Sequence, residues 1–199
     1  MTAPRLILAT RSPRRRAILE EAGVACEPMP APLDDAHLRH GAVTPEQWTA
    51  ALAYLKAAAI RRSLTPGDDR IVLGADTVVV KNHDIIGQPR DAEHARDIVR
   101  TLRDGSHRVV TGVAILHPDR PRLLFVDVAR VAVGPIPDER IEAYLASGNW
   151  RGKAGAYNLT ERIADGWPIN YQGDPATIMG LPLQRLLPLF HALGIASVR

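Results

Sequence analysis

The sequence predicts an α/β fold, a mixed sheet with flanking helices, and three observations predict it. Short apolar and β-branched runs alternate with segments of helical spacing from residue 5 onward, which is the order of β-α-β units. Two β-type runs, 107–116 and 122–133, are separated only by a turn at His117-Pro118-Asp119, a hairpin signal that excludes a purely parallel sheet. The chain has 199 residues, 46% of them hydrophobic and 24% charged, enough for a substantial globular core.

In chain order, residues 5–10 read as a short apolar strand. Ser12 stands at an N-cap position and Pro13 at the first helical position. Ile18, Leu19 and Ala22 supply an apolar face up to Gly23, the C-cap. The proline- and acid-rich stretch 27–41 reads as an exposed extended segment or loop. Thr44-Pro45-Glu46-Gln47 has capping-box spacing, and Trp48, Ala51, Leu52, Leu55 and Ala59 recur at helical spacing until Thr65-Pro66-Gly67. Residues 71–80 read as strand on both sides of a Gly74-Ala75-Asp76 interruption. Asp91 caps a helix with Ala95, Ile98, Val99 and Leu102 inward and Gly105 at its end. Beyond the hairpin, 138–147 reads as a helix with Ile141, Tyr144 and Leu145 on one face. Residues 150–177 read as a glycine-rich, irregular, site-forming segment, and a final helix spans 182–193 with Pro188 as its point of kink. No repeat or boundary signal divides the chain, so one domain over 1–199 is expected.

Three consecutive arginines, Arg14, Arg15 and Arg16, fall in the first turn of the first helix. That end of a helix carries partial positive charge, so cations there are destabilising unless an anion joins them. Unpaired N–H groups, the dipole and guanidinium forks together make a phosphate site. The competing reading is a solvated basic face; the strand, cap and proline that fix the position favour phosphate. Asp76 is the next candidate. A carboxylate within a buried-looking strand carries a desolvation penalty unless it is paired, metal-bound or at an open end. It reads equally as a metal ligand or general base, or as a bulge or turn acid. Thr77 points to the opposite face of a regular strand. Asp34 and Asp35 offer a second carboxylate near a metal, or simple loop solvation. Lys56 borders the apolar stripe of its helix and can snorkel or reach a phosphate. Lys153 sits among glycines, where backbone and ammonium can both approach an anion.

Other chemistries lack their residues. The sequence has no G-x-x-x-x-G-K-[ST], no G-x-S-x-G and no C-x-x-C or H-E-x-x-H. Oxygen ligands with Arg and Lys suit magnesium and phosphates rather than zinc. A net charge of +3 with only 5% aromatic residues argues against a nucleic-acid binder, which would show a dense basic stripe with stacking rings. The single cysteine, Cys26, excludes an internal disulfide and fits a structural thiol in a reducing compartment. With no leader-like segment and no apolar run near the roughly 20 residues that cross a bilayer, a cytoplasmic protein without a membrane partner is expected.

Taken in order, L-I-L-A-T-R-S-P-R-R-R-A-I-L, L-G-A-D-T-V-V-V, G-Q-P-R-D-A-E-H-A, K-A-G-A-Y and G-D-P-A-T-I-M-G-L-P-L resemble the Maf family of nucleoside triphosphate pyrophosphatases, from residue 6 to about 187. The resemblance implies two lobes around a central cleft, a homodimer, and hydrolysis of a nucleoside triphosphate to the monophosphate and pyrophosphate with Mg²⁺ or Mn²⁺. By motif, Asp76 matches the family's catalytic, metal-binding acid. Ser12, Arg14 and Arg15 match its phosphate-binding turn, Lys56 its helix lysine, and Lys153 the lysine before A-G-A-Y. Asp35 or Asp34 falls near its acidic loop residue. Arg14 and Thr77 match the branch that resembles dTTP and UTP pyrophosphatases. That branch has a glutamine where this chain has Thr160, followed by Glu161 and Arg162, so base preference stays open. Glu161 can accept from a base or pair with Arg162. Gln88 replaces a common family lysine, which leaves a catalytically weak nucleotide-binding regulator of cell division as the alternative reading.

Overall fold

The structure is a computed structural model and describes residues 6–33, 38 and 40–195. In chain order the elements are β1 (Leu6–Ala9), α1 (Pro13–Glu21), β2 (Cys26–Pro28), α2 (Pro45–Ser63), β3 (Ile71–Lys81), β4 (Asp84–Ile86), α3 (Ala92–Leu102), β5 (Gly105–Leu116), β6 (Leu123–Val133) and α4 (Asp138–Ala146). They continue with a 3₁₀ turn (Ala154–Ala156), α5 (Leu159–Ala164), β7 (Ile169–Gln172), α6 (Pro175–Ile178) and α7 (Leu183–Ala192). The seven strands form one sheet in the order β2-β1-β3-β5-β6-β7, with β4 paired to β3. β1 runs parallel to β2 and β3, whereas β4 is antiparallel to β3 and β7 to β6. The mixed α/β class is therefore the one observed.

Contacts divide the chain into two compact units, each built from separate stretches. The first comprises Met1–Asp76, Thr111–Asp127 and Gly180–Arg199, and the second Thr77–Val110 and Val128–Met179. In the first, α2 lies on the sheet through Ala53, Ala57 and Ile60, against Ile7, Ala9, Val72 and Ala114. In the second, Ala95, Ile98, Val99 and Leu102 of α3 and Ile141, Tyr144 and Leu145 of α4 bury Val79, Val109, Val131 and Val133.

Several boundaries follow from local chemistry as expected. Thr44 and Gln47 form a complete capping box at the start of α2. Gly23, at φ +70°, ends α1 in a Schellman motif, with Gly23 N–H on the Glu20 carbonyl and Val24 N–H on that of Leu19. Asp91 accepts from His94 N–H at the head of α3.

Ser12 is the N-cap residue of α1 as expected, without a side-chain capping hydrogen bond. In the stretch read as an exposed extended segment or loop, Glu27 and Pro28 are exposed and extended, pairing in parallel with Ile7 and Leu8 as part of β2. Three expectations need correction. Strand β3 is not interrupted at Gly74-Ala75-Asp76 and runs unbroken through it. The residue in left-handed conformation after α3 is Asp104, at φ +53°, while Gly105 opens β5. Residues 150–177 are not irregular throughout. Asn158 caps α5 by accepting from Glu161 N–H, and Ile169–Gln172 find an edge to pair with on β6.

The buried face of α2 also differs. Ala51 is exposed and Leu55 is 36% exposed, while Thr49, Leu52, Ala53, Ala57, Ala58 and Ile60 are buried. Size decides this rotation. A side chain on Gly74 would overlap the Ala53 carbonyl oxygen and come within 2.9 Å of Ala57 Cβ, and one on Gly112 would overlap the Thr49 backbone. Two glycines thus let the helix sit close on the strands, and the helix turns its smallest residues toward them.

Candidate active site in the first unit

Asp76 is the fixed point. Parallel pairing of β1 with β3 ends at Ala9 opposite Gly74, so Asp76 lies two residues beyond the last pair, at the carboxyl end of β1. That is where ligands gather in open α/β sheets, because the following helices begin there. Asp76 is 8% exposed. Its Oδ1 accepts from Lys56 Nζ at 2.6 Å. Removing either partner of such a pair takes an opposite charge away from the other in a place with little water. The rotation of α2 makes the pair possible, since Lys56, half-buried, lies one turn on from the buried Ala53 and borders the face turned to the sheet.

The start of α1 follows directly on β1. No acidic residue occupies its first turn. Thr10, 8% exposed, organises the approach: its Oγ1 accepts from Ser12 N–H at 3.0 Å and from Arg15 Nη1 at 3.5 Å. Arg15 Nε also donates to the Gly180 carbonyl at 2.8 Å. Arg15 is therefore oriented by protein acceptors that include Thr10 and Gly180. Arg14 is half-buried beside it. Arg16 has the other fate considered for the cluster: it is exposed and pairs with Glu20 one turn on, at 2.7 Å. Thr10 and Gly180 are contributors that motif reading missed; the signal for Thr10 was a hydroxyl at the very end of an apolar strand.

The second unit holds the remaining candidates. Lys153 Nζ is 2.6 Å from Glu161 Oε2, with side-chain exposures of 13% and 41%. Thr160 donates its hydroxyl to Asn158 Oδ1 at 2.9 Å, and Thr77 is half-buried on β3. Glu161 pairs with Lys153 and not with Arg162, the salt-bridge partner that was one of its two alternatives. Arg162 is 5% exposed, stacks over Tyr144 and Trp167, and pairs with Asp165 at 2.5 Å. On a helix, adjacent residues face different ways, so Glu161 is free to turn to Lys153 while Arg162 goes inward. Gln88 is exposed.

Asp34 and Asp35 lie outside the described residues. Among the described residues, no three His, Cys, Asp or Glu side chains cluster as a metal cage. The donor set still fits a hard divalent ion. Magnesium is commonly held by one or two carboxylates together with substrate phosphates and water, rather than by protein alone. Asp76, beside an arginine-bearing helix start, supplies such a carboxylate. No helix among the described residues is long and apolar enough to cross a membrane.

The family described as Maf-like protein matches residues 5–193. A dTTP/UTP pyrophosphatase of Salinibacter ruber is 37% identical over 188 residues, covering 94% of this chain and 90% of its own. A dTTP/UTP pyrophosphatase of a Geobacillus species is 38% identical over 189 residues, covering 95% and 98%. A third, from Pelotomaculum thermopropionicum, is 35% identical over 190 residues, covering 95% and 96%.

Proposed function

The chain belongs to the Maf-like family, and from that premise we propose that it is a nucleoside triphosphate pyrophosphatase acting on dTTP and UTP. Water attacks the α-phosphorus, the bond to the β-phosphate oxygen breaks, and the products are the nucleoside monophosphate and pyrophosphate. The observation that carries the reading is the Lys56–Asp76 pair, held at 2.6 Å at the carboxyl end of β1, where α1 begins. Relatives bearing that substrate name over nearly their whole length support the pyrimidine choice.

Each residue then has a task. Asp76 orients the attacking water and takes its proton. Lys56 holds the carboxylate in place and adds positive charge beside the phosphates. Arg14, Arg15 and the start of α1, with Ser12 at its cap, bind the triphosphate oxygens, and the Thr10 and Gly180 acceptors keep Arg15 in a fixed pose. Asp76, with Asp35 as its second carboxylate, holds the divalent cation, Mg²⁺ or Mn²⁺, which when bound neutralises charge on the phosphates and the leaving pyrophosphate. Lys153, Thr77 and Thr160 are assigned to the substrate on the motif resemblance. The same resemblance gives a single domain and a homodimer, and a place in the cytoplasm, where the nucleotide pool is, fits the proposed substrate.

Pyrophosphate release from dTTP, UTP and the other common triphosphates tests the reading. Release that is selective for dTTP and UTP and absent in Asp76→Asn is expected. Saturable nucleotide binding without release from any triphosphate overturns it in favour of a regulator.

A further inference from the structure

We propose that Tyr144 is a positioning residue for the nucleotide, its buried hydroxyl holding a strained turn that sets where Lys153 stands; this rests on the reading above that Lys153 meets the substrate. The turn follows Lys153 directly. It contains two consecutive left-handed residues, Gly155 at φ +71° and Ala156 at φ +60°, between Lys153 and Tyr157 in extended conformation. Glycine enters that region freely. Alanine does not, because its Cβ crowds the following carbonyl oxygen. A residue held there persists only where its surroundings over-determine it.

Tyr144 supplies that hold. Ala156 is fully buried, and its carbonyl accepts from the Tyr144 hydroxyl at 2.8 Å. On the other side of the same residue, Ala156 N–H donates to the Lys153 carbonyl at 3.0 Å. The hydroxyl on α4 is thus joined to the Lys153 backbone through a single residue. Gly155 N–H donates to the Gly87 carbonyl at 3.1 Å, and the Tyr157 hydroxyl lies 2.8 Å from His107 Nε2, so the turn is pinned at three successive residues. A turn fixed in this way leaves few poses to Lys153, whose side chain is 13% exposed.

The tyrosine ring reaches α5 as well. The Arg162 guanidinium carbon stands 4.3 Å from its centroid, and Trp167 meets it edge-on at 5.2 Å. Arg162 shares α5 with Thr160 and with Glu161, the partner of Lys153. One side chain of α4 therefore orients both the turn that carries the lysine and the helix beside it. Tyr144 is itself 4% exposed, so it acts on a ligand through the groups it holds. A charged donor serves a phosphate in proportion to how well it is placed beforehand, and a displacement of about 1 Å is enough to be felt.

The test uses Tyr144→Phe in the full chain, which keeps the ring and its stacking and takes away the donor to Ala156. Amide hydrogen exchange without nucleotide reads the turn. Gly155 and Ala156 should exchange about tenfold faster or more, while the amides of α3 keep their rates. Binding of a non-hydrolysable dTTP analogue with Mg²⁺ reads the consequence. Affinity should fall about three- to tenfold, part of the worth of one charged hydrogen bond, and should fall no further when Tyr144→Phe is added to Lys153→Met. In turnover the same factor should appear in KM, with kcat kept within about twofold. An unchanged affinity, an equal loss with and without the Lys153 ammonium, or unchanged exchange at Gly155 and Ala156 overturns the proposal. Binding that follows the expected pattern without pyrophosphate release from any triphosphate keeps Tyr144 in this role and overturns the pyrophosphatase reading instead.

Discussion

Lys56 reaches Asp76 because Gly74, two residues before the aspartate, leaves room for Ala53 and Ala57 on the same helical face as the lysine. The catalytic assignment predicts two different losses from this pair. Asp76→Asn keeps the shape and removes the base, so turnover falls about 10²-fold or more. Lys56→Met removes the cation and leaves the carboxylate without it, so activity and unfolding midpoint fall together. Pyrophosphate release, read beside thermal denaturation, checks both. An Asp76→Asn protein with an unchanged rate would falsify the assignment.

Gly74→Ala probes the close approach itself. The new Cβ overlaps a backbone oxygen of α2, which no side-chain rotation relieves. The helix must lift, at a cost of about 1–3 kcal/mol, and Lys56 lifts with it. A lower urea midpoint with a larger proportional loss of activity is expected. Gly67→Ala serves as a control for volume, since nothing lies within 4 Å of that position, although its φ of +85° adds local strain of its own.

These results also mark how far the residues alone could be read. The α/β class, the caps at Thr44 and Asp91, and the inward faces of α3 and α4 were legible because each rests on local spacing or local hydrogen bonding. The face of α2 was not. Leu55 has the stronger hydrophobic claim, but the sheet admits only Thr49, Ala53 and Ala57 where Gly74 and Gly112 bring backbone close. The Gly-Ala-Asp sequence in β3 resembled an interruption for the same reason: its glycine answers a helix about twenty residues away in sequence. Asp76 and Lys56 were each legible as candidates, but their pairing is a tertiary fact. Likewise Glu161 could be assigned to Arg162 only while the pull of Tyr144 and Trp167 on Arg162 was unseen.

Stability should fall in mild acid through His107. Its pKa in the folded chain is pushed down to about 4 from 6.5 by burial and by Lys81. The unfolded chain therefore binds the extra proton first, and stability is lost as pH falls from about 6.5 towards 4. The full effect amounts to about 3 kcal/mol. Denaturant melts at pH 7 and pH 5 capture about 2 kcal/mol of it. His107→Gln lowers stability at pH 7 and flattens the dependence between those two values; an equally steep dependence in the variant would remove His107 as its source.

Glu161 holds Lys153 at 2.6 Å, so a phosphate or base oxygen that needs this lysine must compete with a carboxylate. Glu161→Gln keeps the shape and removes the competition. Because Glu161 is 41% exposed, the pair is worth only a modest amount, and KM should fall about two- to fivefold with little change in kcat. Lys153→Met should raise KM. If Glu161→Gln instead raises KM while Lys153→Met leaves it alone, the carboxylate itself contacts substrate.

Chelation separates a catalytic metal from a structural one. Among the described residues no cluster of three metal-ligating side chains is present, and the proposed cation is shared between the carboxylates of Asp76 and Asp35 and substrate oxygens. Such an ion adds little to the fold when substrate is absent, because stabilisation by a ligand depends on its affinity for the folded chain alone. Treatment with a chelator should therefore abolish pyrophosphate release and leave the unfolding midpoint of the substrate-free protein where it was. Adding Mg²⁺ or Mn²⁺ with a non-hydrolysable dTTP analogue should raise that midpoint together, and by more than either alone. A large drop in midpoint on chelation, without nucleotide, would mean that the metal is held by the protein itself, and Asp34 and Asp35 would be the first residues to change.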